Sequence, residues 1–295
     1  MKLLIYGSGV IGSLYASVFS EYGNAVSVLA RGHRLEELRA KGLLRNVNGK
    51  AVRYHVTVMD ELKAEDRYDY IFLTVRAEQA EEALAALKNN RSTTIVTMIN
   101  SIEPYEQWEK LCGKGRLIPA FPGAGGSIVD GVLHAELTPA FVQPTTFGEL
   151  RGSRTEKGRQ LEKLFSRAKI PYQRVGDMHA WQICHLALVV PLADAYRMTD
   201  RPESVGKDKN IMRKAAIRLR ANYRMLVRKG IHLSPWKMNL FRFAPVGLLE
   251  LILGKVYQSP FGNMFMYQHA IKAKTEMKQL HREFYSFLKA KEPDA

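Results

Sequence analysis

Three glycines, Gly7, Gly9 and Gly12, stand in the stretch LLIYGSGVIGSLYASVFSEYG, between an apolar run and a segment of helical periodicity. Their spacing is G-x-G-x-x-G. Each position has a chemical use when a strand precedes the motif and a helix follows it. The first glycine permits the tight turn, the second lets a pyrophosphate approach the backbone, and the third lets helix and strand pack closely. Free amides at the helix N-terminus then face the negative charge. The bare motif also occurs in purely structural turns, but a second apolar run at 25–29 supplies the context that favours a dinucleotide. Gly7, Ser8, Gly9, Val10, Ile11 and Gly12 are therefore the candidate phosphate-binding stretch.

The end of that second run bears on which dinucleotide. Sites that prefer NAD usually place Asp or Glu there, to hold the ribose 2′-hydroxyl. This chain has LARGHR instead: Arg31, followed by His33 and Arg34. A guanidinium can make paired hydrogen bonds to the oxygens of a 2′-phosphate. NADP is the expected cofactor. The plainer alternative is that Arg31 is an exposed loop residue.

These residues need a frame to hold them. Apolar β-type runs at 2–6, 25–29, 70–75 and 94–99 alternate with helical patterns, which argues for βαβ units and a parallel sheet. Runs at 117–120, 140–143 and 145–147 are expected to extend that sheet. The turn-rich FPGAGGSIVDG (121–131) is expected to lie across a sheet edge or over a cleft. From about Asp177 the character changes. HAWQICHLALVVPLADAY is apolar almost all round, as a helix buried on several sides would be. Long helical patterns follow, broken near 201–207, 230–236 and 258–262. The fold class is thus α/β, with a Rossmann-type parallel-sheet domain over 1–176 and an all-helical domain over 177–295.

A chain of 295 residues with 46% hydrophobic and 25% charged content suits a two-domain globular protein. No apolar run approaches the ~20 residues of a membrane span. MKLLIYGSG runs into the glycine turn without the cleavage site of a secretory signal. Cys112 and Cys184 have neither metal-ligand spacing nor a disulfide framework, which points to the cytoplasm. The net charge of +15 is concentrated in the C-terminal part, densest over RKAAIRLRANYRMLVRK, Arg213–Lys229. Such a stripe could bind nucleic acid or draw small anions into a cleft. The plainer reading is a solvated helix face, and no nucleic-acid motif accompanies it.

LLIYGSGVIGSLYA, VSVLARGHRLEELRAKGL, DYIFLTVRAEQ and MIN (98–100) closely resemble the 2-dehydropantoate 2-reductases, or ketopantoate reductases. The resemblance covers the N-terminal domain well and continues more weakly through the helical part. It implies a Rossmann domain joined to a helical domain, and reduction of a small anionic 2-oxo acid by NADPH. It also implies that Arg76 stands where the family has a lysine near the cofactor phosphates. Asn100 matches an asparagine near nicotinamide and substrate, although the next residue is Ser101 rather than glycine. KAKTEMKQL resembles the family's Thr-Glu-Ile segment and puts Glu276 on the acidic residue of the cleft; the alternative is an exposed glutamate among lysines. A homodimer through the helical domain is a further expectation.

In that family a catalytic lysine lies two residues after a tryptophan, with asparagines following at intervals of four. Here the tryptophan is Trp181, and the corresponding positions hold Ile183, Ala187 and Pro191. Asn263 and Met264 stand where the family has a pair of serines. A hydride reaching a ketone makes an alkoxide that needs a proton. His185 is the candidate donor, with His179, Lys255 and Lys272 as alternatives. A protein that binds NADP on the reductase fold without turnover is the competing expectation.

Overall fold

The computed structural model describes residues 1–267 and 274–290. The chain divides into two compact units, Met1–Met178 and His179–Ala295.

The first unit is built on an eight-stranded sheet. Strands β1 (Lys2–Tyr6), β2 (Ala25–Leu29), β6 (Tyr70–Leu73) and β7 (Ile95–Met98) are mostly apolar and almost wholly buried because helices cover both faces of a parallel sheet. With β5 (Thr57–Met59), β8 (Leu117–Phe121), β11 (Thr145–Phe147) and β12 (Tyr172–Arg174) they stand in the order β12-β11-β8-β7-β6-β1-β2-β5. Every pair is parallel except β11 with β8. Helices α1 (Val10–Glu21), α2 (Gly32–Lys41), α3 (Ala80–Ala86), α4 (Tyr105–Cys112) and α5 (Glu156–Arg167) complete the α/β unit.

A second sheet of four strands was not expected. It comprises β3 (Leu43–Val47), β4 (Lys50–Tyr54), β9 (Ala124–Val129) and β10 (Val132–Leu137), in the order β4-β3-β10-β9. Two hairpins make it, and β10 joins them by pairing parallel with β3. FPGAGGSIVDG is largely strand β9, at the edge of this sheet, and its turn. Ala140–Gln143 is a turn rather than a strand.

The small sheet explains the unbroken apolar character of α1. The helix packs on β1 and β2 and also meets β3, β9 and β10. Every residue from Gly12 to Phe19 is consequently buried. The Phe19 ring lies 4.9 Å from Phe72 and 6.4 Å from Phe165, which ties α1 to the sheet and to α5. Burying one such side chain contributes about 1.5–3 kcal/mol.

The second unit has no strand among the described residues. Its helices are α6 (Met178–Tyr196), α7 (Lys209–Arg228), α8 (Asn239–Phe243), α9 (Val246–Tyr257) and α10 (Lys274–Lys289). Leu192, Ala195, Ile211, Ala215, Leu249 and Leu253 form a core shared by α6, α7 and α9. Asp208 caps α7, its side chain accepting from the Ile211 amide at 3.0 Å. The basic residues of α7 lie on its outer side: Arg213, Lys214, Arg218, Arg224 and Arg228 are all exposed. Among the described residues no helix is long and apolar enough to cross a membrane.

Candidate cofactor site

Strand β1 ends at Tyr6, and the backbone turns at Gly7 with φ of +114°, a conformation that L side chains rarely adopt. The Gly7 amide donates to the Leu29 carbonyl at 3.2 Å, which fixes the turn to the end of β2. Gly12 lies in the first turn of α1. A Cβ there would sit 1.9 Å from the Gly7 carbonyl oxygen, so only glycine lets helix and turn meet. Gly9 is the opposite case. It caps α1 with ordinary φ of −69°, and a Cβ added to it would find nothing within 4 Å. The space above Gly9 is open at the helix N-terminus, where the first amides have no intrahelical acceptor. With no acidic side chain in that first turn, the positive end of α1 is left to an anion. The residues present thus fit a pyrophosphate.

Two residues outside the motif brace it. Thr74, just past β6, donates from Oγ1 to the Gly7 carbonyl at 2.8 Å and lies 3.3 Å from that of Tyr6. Arg34 reaches back from α2 to the Ser8 carbonyl (3.3 Å) and across to that of Gly131 (3.3 Å). Its Nη1 also donates to Glu37 at 3.0 Å, and this bond holds the Glu37 carboxyl below its ordinary range. Arg34 is therefore mostly buried and committed to the turn.

Arg31 is differently placed. It directly follows Ala30, next after β2, forms the N-cap of α2, and is exposed. Among the described residues it has no ion pair. His33 is also exposed and lies 3.5 Å from Glu37. Arg76 follows β6 and caps the short turn at Ala77–Gln79, its exposed guanidinium 3.9 Å from Glu78. Asn100 is half-buried just beyond β7, beside the buried Ser101. The ends of β1, β2, β6 and β7 thus bring Gly7–Gly12, Arg31, Arg76 and Asn100 to the carboxyl edge of one sheet, where open α/β sheets bind ligands.

The family model for "Ketopantoate reductase PanE/ApbA" matches residues 3–151. The chain belongs to that oxidoreductase family. It is 26% identical over 178 residues to the uncharacterized oxidoreductase YkpB of Bacillus subtilis (strain 168), covering 57% of this chain and 55% of the relative. It is 25% identical over 194 residues to 2-dehydropantoate 2-reductase of Pyrococcus horikoshii, covering 62% and 58%. The chain thus spans little more than half the length of the curated relatives it matches. Two solved structures share the fold over nearly the whole chain. One is D-mandelate dehydrogenase with NADH and anilino(oxo)acetate (TM-score 0.66, 17% identity, 98% of this chain and 96% of that one). The other is a PanE/ApbA family ketopantoate reductase from Ralstonia eutropha JMP134 (TM-score 0.64, 14% identity, 98% of each chain).

The helical unit departs from the family's pattern where its lysine and asparagines would stand. Ile183 and Ala187 are both 0% exposed. Pro191 interrupts the hydrogen-bond ladder of α6, and Asn222 of α7 supplies the missing donor to the Ala187 carbonyl at 3.1 Å. This face of the helix is given over to packing. His185 is also buried, its ring stacked on Trp181 with centroids 5.2 Å apart and planes at 6°. His179 is half-buried in the first turn of α6, and Lys255 is exposed in the last turn of α9. Glu276 is half-buried in the first turn of α10. Asn263 and Met264 lie in a π-helical turn, Gly262–Tyr267. Lys272 lies outside the described residues.

Sequence reasoning missed Thr74, the bracing role of Arg34, and Asn222. No local motif marks any of the three.

Proposed function

We propose that this chain is a reductase of a small anionic 2-oxo acid, with NADPH as reductant and 2-dehydropantoate or a close relative as substrate. The observation that carries the reading is the glycine turn, where Gly9 leaves open space at the N-terminus of α1. Family membership supports it, as does the shared fold with a dehydrogenase that holds NADH and an oxo acid derivative. When bound, the nicotinamide supplies the hydride. The protein's own part begins with the turn, whose amides hold the pyrophosphate. Arg31 then meets the 2′-phosphate and Arg76 the phosphates nearby. Asn100 orients the reacting groups at the sheet edge. Hydride addition leaves an alkoxide, which must be stabilised and protonated. His185 is the proposed proton donor, and Glu276 the acidic partner from α10.

The buried Ile183 and Ala187 favour a second reading, a protein that binds NADP on this fold without turnover. Consumption of NADPH by the purified protein, offered 2-dehydropantoate and then other small 2-oxo acids, separates the two. Turnover supports the first reading. NADPH binding with no turnover on any of them supports the second.

The proposal includes a cytoplasmic setting, where the buried thiols of Cys112 and Cys184 stay reduced. It also includes self-association. Trp236, Leu240, Phe243, Leu248, Leu251 and Ile252 are exposed apolar side chains of the helical unit, and a second copy is their proposed occupant. Light scattering should find a dimer that Leu251→Glu with Leu248→Glu converts to monomer.

A further inference from the structure

An open pocket of about 500 Å³ is lined by residues of the helical unit, Asp194, Arg197, Arg218, Lys278, His281 and Arg282 together with Met198. Its charge is lopsided. Asp194 is the one carboxylate that lines it among the described residues, against four permanent cations and a histidine. Asp194 is itself buried, with a side chain 6% exposed, and it is shared three ways. Oδ1 lies 3.6 Å from Arg197 Nη1, while Oδ2 lies 3.7 Å from Arg218 Nη1 and 2.7 Å from His281 Nδ1. Among the described residues Lys278 and Arg282 have no ion pair at all. One negative charge therefore orders several positive ones and leaves three of the permanent cations uncompensated.

Both arginines remain about half exposed, at 42% and 45%, so their remaining N–H donors are open to a ligand. The His281 ring is set between Asp194 and Tyr285, whose ring centroid is 4.7 Å away. The donors come from three directions: Arg197 just past α6, Arg218 midway along α7, and Lys278, His281 and Arg282 on one side of α10. A planar carboxylate accepts in its own plane. The terminal oxygens of a phosphate accept from several directions at once, and guanidinium forks match them. Like charges gathered around one pocket favour a multiply charged anion over a singly charged one.

We propose that this pocket is a binding site for a phosphate-bearing small molecule, of the phosphomonoester or diphosphate class, separate from the dinucleotide site of the first unit. It depends on no residue of the glycine turn.

Inorganic pyrophosphate is the probe, titrated calorimetrically into the full chain carrying Gly9→Val, so that binding at the glycine turn does not contribute. Saturable binding is expected. Arg218→Gln and Lys278→Gln should each weaken it at least tenfold. Arg228→Gln removes the same charge from the last turn of the same helix, about 15 Å from Arg218, and should leave binding unchanged. Citrate at matched ionic strength should bind at least tenfold more weakly than pyrophosphate. No saturable binding at millimolar pyrophosphate would overturn the site. Equal weakening by Arg228→Gln would reduce it to general attraction by a basic helix. Citrate binding as tightly as pyrophosphate would overturn the phosphate assignment.

Discussion

Asn222 Nδ2 donates to the carbonyl oxygen of Ala187 at 3.1 Å, at the point in α6 where Pro191 has no N–H to offer. In an unbroken helix the amide of residue 191 would satisfy that carbonyl. Both Asn222 and Ala187 are almost wholly buried, so water cannot substitute. A side chain on α7 thus completes the backbone of α6. The neighbouring Tyr223 does something similar, its hydroxyl donating to the Cys184 carbonyl at 2.9 Å.

Replacing Asn222 by Leu should therefore strand a buried carbonyl, at a cost of about 1–3 kcal/mol. The penalty should shrink when Pro191→Ala restores the helix amide. Chemical denaturation of the two single variants and the double variant measures this coupling. Additive effects would show that Asn222 does not stand in for the proline.

The glycines of the first turn should separate folding from binding. Gly12→Ala forces a Cβ to 1.9 Å from the Gly7 carbonyl and to 2.6 Å from Thr74 Oγ1, so the turn must deform. Overpacking against backbone costs about 1–3 kcal/mol or more, and a clear loss of thermal stability is expected. A Cβ at Gly9 meets nothing within 4 Å, so Gly9→Val should leave the melting temperature within a few degrees. It should nevertheless abolish NADPH binding, because the side chain fills the space of the pyrophosphate. Calorimetry with NADPH on the two variants tests the contrast, and undiminished affinity in Gly9→Val would remove the site from this turn.

The glycine turn was readable from sequence because every requirement on it is local: a strand end, a tight turn and a helix start within ten residues. The small sheet was equally signalled and passed over. Asn48-Gly49 and Asp130-Gly131 both take positive φ, as two-residue hairpin turns do, and each joins a pair of strands of that sheet. Gly125 and Gly126 give β9 the composition of a turn-rich stretch. Gly126 is in fact required by close pairing, since a Cβ there would lie 2.2 Å from the His134 carbonyl. The bracing role of Arg34 carries no local signal. Its partners Ser8 and Gly131 are 26 and 97 residues away, and nothing in LARGHR points to them. The same holds for the pocket around Asp194, whose lining residues are drawn from three separate segments.

Glu109 offers a pH test. Burial pushes its carboxyl upward, but the Gly115 amide at 2.8 Å and Arg151 at 3.0 Å outweigh that and hold it below its ordinary value. A carboxyl depressed in the folded state adds stability above its unfolded pKa, about 4.3, and loses it as pH falls through the folded value. Glu109→Gln should therefore be less stable than the parent at neutral pH, with the gap closing in acid. Urea midpoints measured from pH 7 down to pH 3 would show it. A gap that stayed constant through that range would mean the carboxylate's charge is not what matters.

Arg31 and Arg34 stand three residues apart and should fail in different ways. Arg31 is exposed and makes no ion pair among the described residues, so its guanidinium is open to a 2′-phosphate. A charge-assisted hydrogen bond contributes about 1.5–3 kcal/mol, which is roughly ten- to a hundredfold in affinity. Arg31→Asp should cost NADPH at least that much. NADH should lose little, because aspartate can hold the ribose 2′-hydroxyl instead. The ratio of the two affinities is then reversed while thermal stability is unchanged. Arg34 spends its donors on Ser8, Gly131 and Glu37, which belong to the turn and its surroundings rather than to a ligand. Arg34→Gln should lower the melting temperature and weaken NADPH and NADH together, leaving their ratio near that of the parent. Titration of both cofactors into both variants distinguishes a specificity residue from a bracing one. Equal affinities of the parent for NADPH and NADH, or an unchanged ratio in Arg31→Asp, would take the cofactor preference away from Arg31.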